Sequence, residues 1–211
     1  HPRLHYLNLF LSIKISTTEV GMTVRLFIAV EIENTETLRR IINLRDELLT
    51  CSKGGRGIKG VEDENIHLTI RFIGEVSEAL LPSIINCLKP CGELKSFMME
   101  VKGVGAFPSI SRPRVIWVGV SKGSDELKMI RKIIDKCLNQ IVRPEPQEFV
   151  PHITIGRIKG SYDRMCLQNF LNTHVDEVIG ESKVTKIKLK RSILRPQGPE
   201  YHDVYEVNLR E

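Results

Sequence analysis

Two tetrapeptides of one form, His67-Leu68-Thr69-Ile70 and His152-Ile153-Thr154-Ile155, carry the residues best suited to chemistry. Each sets an imidazole two positions before a hydroxyl, inside a β-branched, apolar stretch that predicts a strand. Side chains alternate faces along a strand, so each motif presents its His and Thr together. Placed side by side, the two strands surround one point with two imidazoles and two hydroxyls. Such a set can attack a phosphate ester without a metal. A neutral imidazole takes a proton from water, a protonated one gives a proton to the leaving oxygen, and the hydroxyls donate where charge builds on phosphorus. One His-x-Thr alone carries no signal, because a strand His is usually a packed or solvated side chain and a strand Thr reflects β-propensity. Two of them are a different matter. Arg71 shares parity with His67 and Thr69 and is expected at the rim of the same face. Arg157 has the opposite parity to His152, so only a bulge or a strand end turns it toward the site. Phe27, Phe72 and Phe149 are the aromatic candidates to stack a base; the core is the ordinary place for all three, and Phe149 is carried forward as a substrate-binding candidate.

The 211 residues suffice for one sizeable domain or two small lobes. A net charge of +5 leans toward an anionic partner such as RNA, a nucleotide or phosphate. Five cysteines, Cys51, Cys87, Cys91, Cys137 and Cys166, form no Cys-x-x-Cys. They are read as reduced thiols of a cytoplasmic protein, with no zinc-finger spacing. No apolar run approaches the roughly 18 residues a membrane span needs. Residues 1–21 read as a leader or upstream extension, because Met22 opens a more convincing strand. His1, His5, His174 and His202 lack a partner hydroxyl and are expected in solvent or in the leader. Lys53-Gly54-Gly55-Arg56-Gly57 lacks the Gly-Lys-Ser/Thr ending of a phosphate loop and reads as a mobile basic loop that can brush RNA. The lysine-rich strand Lys183 to Arg191 reads as a solvated outer face.

Patterning supplies the elements that must position the motifs. Strands are expected at Arg25 to Val30, Asn65 to Ile73, Phe97 to Val104, Arg114 to Val120 and Phe149 to Ile158. Val184 to Leu194 and Val204 to Leu209 form a closing hairpin around the loop Pro196 to Pro199. Helices are expected from a Thr35 or Thr37 cap to Thr50, from Ser77 to Leu88, from Ser124 to about Ile141 and from Asp163 to Asn172. The motifs lie 85 positions apart, and a helix follows each. This order implies a duplication: an α+β fold of two lobes related by a pseudo-two-fold, with mainly antiparallel sheets facing a central cleft and helices outside. Residues 22–211 then form a single bilobal phosphoesterase domain.

From Met22 onward the chain resembles the RNA 2′,3′-cyclic phosphodiesterases, also called 2′-5′ RNA ligases or LigT-like proteins, of the 2H phosphoesterase superfamily. The carriers are Arg25-Leu-Phe-Ile-Ala-Val30, Asn65-Ile-His-Leu-Thr-Ile-Arg-Phe-Ile-Gly-Glu75, Arg112-Pro-Arg-Val-Ile-Trp-Val-Gly119, Phe149-Val-Pro-His-Ile-Thr-Ile-Gly-Arg157 and Val204-Tyr-Glu-Val207. Gly60-Val61 departs from the family, which often has an aromatic there. The resemblance implies opening of a terminal 2′,3′-cyclic phosphate to a 2′-phosphate, with no metal or other cofactor. It implies His67 as proton donor to the 3′ oxygen and His152 as proton acceptor from water, with Thr69 and Thr154 beside them. It also places Arg157 and Arg114 near the cleft. RNA ends or nucleotide 2′,3′-cyclic phosphates are the expected partners of a monomer. Two other functions are consistent with the motifs: ligation of 2′-5′ ends by the reverse step, and binding of RNA ends without chemistry.

Overall fold

The computed structural model describes residues 22–211. The expected leader, 1–21, lies outside them. Nine strands and four helices follow one another in the described chain: β1 (Thr23–Glu31), α1 (Thr35–Leu49), β2 (Ile58–Gly60), β3 (His67–Ser77), α2 (Leu81–Leu88), β4 (Phe97–Pro108), β5 (Pro113–Val120), α3 (Ser124–Leu138), β6 (His152–Ile158), α4 (Arg164–Thr173), β7 (Val178–Val184), β8 (Lys186–Arg195) and β9 (Gly198–Asn208). Patterning missed β2 and β7. Helix α1 is capped by Asn34, whose side chain accepts from the Thr37 backbone N–H, and not by either threonine. Thr37 is instead buried, with its hydroxyl on the Glu181 carbonyl.

All named strands pair antiparallel in one curled sheet, ordered β7-β4-β5-β6-β3-β1-β8-β9, with β2 on β6. The pseudo-dyad runs between β3 and β6. Each half of the chain lends strands to the other lobe: β4 pairs with β5, and β8 returns to β1. The helices are exchanged in the same way. Helix α1 packs on β6, β7 and α4, while α3 packs on β3 and α2. Ile41, Leu44 and Leu48 of α1 recur at helical spacing and point into the core, as do Leu127, Ile130, Ile134 and Leu138 of α3.

The cysteines correct the sequence reading. Cys51, just past α1, is bonded to Cys166 of α4, and Cys87 of α2 to Cys137 of α3; Cys91 alone is free and buried. The four bonded residues are 115 and 50 positions apart in pairs, on segments that only the fold brings together, so spacing could not announce them. His174 is also corrected. It is buried, with Nδ1 2.8 Å from Glu177 and Nε2 3.0 Å from Glu47, and these hydrogen bonds outweigh burial and raise its pKa. Lys188 and Lys190 lie against Glu31 and Asp203 and are largely covered, not a solvated face.

Each disulfide ties a helix of one half to a helix of the other and removes a long loop from the unfolded ensemble. Reduction of either bond should lower stability by about 2–4 kcal/mol, or about 4–16 °C in melting temperature. Melting curves with and without a phosphine reductant, on wild type and on Cys51→Ser and Cys87→Ser, check this. An unchanged melting temperature on reduction would contradict it.

Candidate active site

The first motif opens β3 and the second opens β6. Leu68 and Ile153, both fully buried, pair across the two strands. This register turns His67 and Thr69 of one strand and His152 and Thr154 of the other to the same face on either side of that pair. Beyond that pair β6 gives its edge to β2, through Gly60↔Gly156, Lys59↔Arg157 and Ile58↔Ile158. A cleft of about 390 Å³ opens on the concave face, and His67, Thr69, His152 and Thr154 all line it.

Both imidazoles are held in the same way. His67 Nδ1 lies 2.6 Å from the Asn65 carbonyl and His152 Nδ1 lies 2.7 Å from the Val150 carbonyl. A carbonyl only accepts, so Nδ1 carries the proton in both rings and Nε2 faces the cleft. The Thr69 hydroxyl donates to His67 Nε2 at 2.7 Å. His152 Nε2 has no such partner among the described residues. Each ring is fixed by an aromatic pair. Phe27 and Tyr201 hold His67 at centroid distances of 5.0 and 5.4 Å, and Phe107 and Trp117 hold His152 at 4.9 and 6.2 Å. Trp117 fits because Gly105 has no side chain; a Cβ there would meet the indole at 2.3 Å. Burial is the main cause that lowers both histidines, His67 to about 4, and the Arg157 guanidinium adds to it. The Asn65 and Val150 carbonyls pull the other way.

Two matching bulges decide what else reaches the cleft. The β1–β3 register jumps from Ile28↔Arg71 to Ala29↔Thr69 and leaves Ile70 extra; the β5–β6 register jumps from Ile116↔Gly156 to Trp117↔Thr154 and leaves Ile155 extra. In each strand two successive residues therefore face the helices, and the next one turns to the cleft. That third residue is Phe72 in one strand and Arg157 in the other, and both line the cleft. The parity argument thus fails for Arg71 and the bulge rescues Arg157.

Arg71 is 1% exposed beneath the sheet. Its Nε donates to Asp135 at 2.7 Å, and Nη2 donates to Asn139 Oδ1 and the Arg143 carbonyl at 3.1 Å each. Arg131 joins the network through Asp135 and donates to the Ile70 carbonyl at the bulge itself. Phe149 does not line the cleft either; it packs on the core, with the Arg131 guanidinium 5.4 Å from its ring. Arg114 is exposed and absent from the cleft wall. Its neighbour Val115 pairs with Arg157 and takes that face, which sends Arg114 to the other side. Cleft residues that patterning did not single out are Arg25, Lys59, Lys159, Asn65 and Tyr201. Only the hairpin signal hinted at Tyr201. Phe72 is 41% exposed in the cleft, with the Arg25 guanidinium over its ring at 5.3 Å, so the core expectation fails for it.

A family model for LigT-like phosphoesterases matches residues 32–117. The chain is 44% identical over 169 residues to the RNA 2′,3′-cyclic phosphodiesterase of Aeropyrum pernix, covering 80% of this chain and 94% of that one. The chain belongs to the LigT-like phosphoesterase family. The RNA 2′,3′-cyclic phosphodiesterase of Aquifex aeolicus is 39% identical over 154 residues, 72% of this chain and 81% of that one. The fold of this LigT-like chain is that of TT0787 of Thermus thermophilus, with a TM-score of 0.75 at 25% identity over 88% of this chain and 98% of that one.

The two arginines should separate experimentally. Arg71→Met breaks a buried ion pair and should cost about 3 kcal/mol, or about 6–12 °C in melting temperature. Arg157→Met should leave the melting temperature in place and lower kcat/KM by about tenfold or more, as loss of a charged hydrogen bond to the substrate does. Melting curves and steady-state rates on both variants test the assignment. A cleft role for Arg71 requires the opposite pattern.

Proposed function

We propose that His67 and His152 act as acid and base on a 2′,3′-cyclic phosphate seated between them. Family membership supplies the reaction, hydrolysis of a cyclic phosphate by a member of a phosphodiesterase family. The observation that carries the residue roles is the register at Leu68↔Ile153, which gathers both His/Thr pairs on one cleft wall. His152 Nε2 has a free lone pair and takes a proton from water. The water oxygen bonds to phosphorus, and the bond from phosphorus to O3′ breaks. His67 gives O3′ its proton, leaving a 2′-phosphate. The Thr69 and Thr154 hydroxyls and Arg157 hold the non-bridging oxygens, where charge builds. Phe72 offers its ring to the base.

RNA ends are the substrate class this reading favours, because cations without a carboxylate partner among the described residues outnumber acids in the cleft: Arg25, Lys59, Arg157 and Lys159 against Glu62. Every group named comes from one chain, so a monomer suffices. A cytoplasmic place of action suits RNA, although two disulfides are uncommon there outside hyperthermophiles. No described helix is long and apolar enough to cross a membrane.

His67→Ala and His152→Ala should each lower kcat by about 10²–10⁴-fold on adenosine 2′,3′-cyclic phosphate in EDTA, with the 2′-phosphate as product of the wild type. Chromatography that resolves 2′- from 3′-phosphate reads both points. A 3′-phosphate product, or full activity in either variant, rules the proposal out.

The pH profile comes from the depressed histidines. The productive form needs one imidazole protonated and its partner neutral. With His67 at about 4 and His152 below 6.5, both are neutral above that range in the free enzyme. So kcat/KM should peak below pH 6.5 and fall about tenfold per unit on the alkaline side. The phosphate monoanion favours imidazolium, so the kcat profile should lie at higher pH than that of kcat/KM. Rates between acid and alkaline pH at saturating and limiting substrate decide this. Coincident profiles with an alkaline optimum contradict it.

A further inference from the structure

Strand β2 is three residues long, and its middle residue is Lys59. It pairs directly with Arg157 of β6, and both side chains line the cleft. Like charges directly opposite one another on a ladder are destabilising. Lys159 stands two residues beyond Arg157 and shares its face. The backbone continues the same pairing, because the Lys159 N–H donates to the Gly57 carbonyl at 2.8 Å. Three cations thus run in a ladder from the second motif outward. None of the three has a carboxylate within salt-bridge distance among the described residues. Lys59 reaches only the Gln197 carbonyl, at 3.3 Å. Other lysines of the concave side are treated differently: Lys188 and Lys190 are neutralised by Glu31 and Asp203.

A terminal cyclic phosphate carries one negative charge. Arg157, beside Thr154, suffices for it, and Lys59 and Lys159 remain uncompensated. Two residues along a strand span about 7 Å, the scale of one step between phosphates in an extended RNA strand. At the outer end of the ladder the exposed Arg56 and Lys53 prolong the positive band. On the opposite wall Phe72 and Arg25 present an aromatic face and one cation. The two walls are therefore unlike: one suits a base, the other a backbone.

We propose that Lys59 and Lys159 form a subsite for the phosphodiester that precedes the terminal nucleotide, so that the RNA chain leaves the cleft along β2 and β6. The enzyme then prefers oligonucleotide ends to cyclic mononucleotides, without reading sequence. This rests on the cyclic phosphate lying at His67 and His152.

The test compares adenosine 2′,3′-cyclic phosphate with a trinucleotide that ends in the same group, using the full chain. The variants are Lys159→Gln and the double variant Lys59→Gln/Lys159→Gln. The ratio of kcat/KM, trinucleotide to mononucleotide, should fall about tenfold in the double variant, and the salt slope for the trinucleotide should become shallower by about 1.4. The Lys159 side chain has no partner to lose among the described residues, so Lys159→Gln isolates the charge; it should lower the ratio by roughly threefold and the slope by about 0.7. A ratio within twofold of wild type in the double variant overturns the subsite, including the case in which both substrates lose equally through a disturbed hairpin at Gln197. Failure of the catalytic reading looks different: His67→Ala would still turn over the mononucleotide at the wild-type rate.

Discussion

The site depends on one backbone contact, the pairing of Leu68 with Ile153 where the two halves of the sheet meet. A single ladder position fixes both motifs at once, because a one-residue slip would turn every side chain of either strand to the other face. It would bury the histidines and expose Leu68 and Ile153, both at 0% exposure now. The hydrophobic core therefore enforces the catalytic register. The two halves also cannot separate without losing sheet, because each contributes strands and helices to the other lobe. Two disulfides reinforce the same exchange, each joining one helix from either half.

Symmetry places the histidines, and departures from it make the cleft directional. Both motif strands bulge at the isoleucine after the threonine, at Ile70 and Ile155. The residues just past the two bulges are unlike. After Ile70 comes Arg71, which fits beneath the sheet because Asp135 and Asn139 of the α3 segment receive it. After Ile155 comes Gly156, where α1 lies so close that a Cβ would meet Leu48 at 2.8 Å. The equivalent positions therefore cannot be exchanged. The next residue turns inward in each strand, an aromatic ring on one side and a guanidinium on the other. A duplicated scaffold thus presents two unlike cleft walls.

The sequence made the motif strands, the helices and the duplication legible, since each rests on local periodicity or on an identical pattern repeated in order. What it left hidden depends on partners far along the chain. Strict alternation misplaced Arg71 because a bulge is set by the partner strand and not by the residues that bulge. The same bulge brought Arg157 inward against its parity. Phe149 was a fair aromatic candidate, but Arg131 one helix away claims its ring. Strand β2 is too short to show a period, and the glycine-rich segment before it, Gly54 to Gly57, looks like loop. Cys51 and Cys166 are brought together only when α1 crosses to the other lobe. His174 looked solvated because Glu47, which grips it together with the nearby Glu177, lies 127 positions away on α1.

The electrostatics of the cleft arise from the same placement. Burial, and to a smaller degree Arg157, lowers the pKa of both histidines, whereas the proposed chemistry needs one imidazolium. A phosphate monoanion bound as proposed would supply the negative charge that favours imidazolium, and by screening Arg157 it would remove one cause of the histidines' low basicity. Protonation at Nε2 of His67 also displaces the Thr69 hydroxyl, since that atom can no longer accept. Under the proposed roles the hydroxyl is then free to turn its proton to a non-bridging oxygen, so that one hydrogen bond within the motif is exchanged for two directed at the substrate.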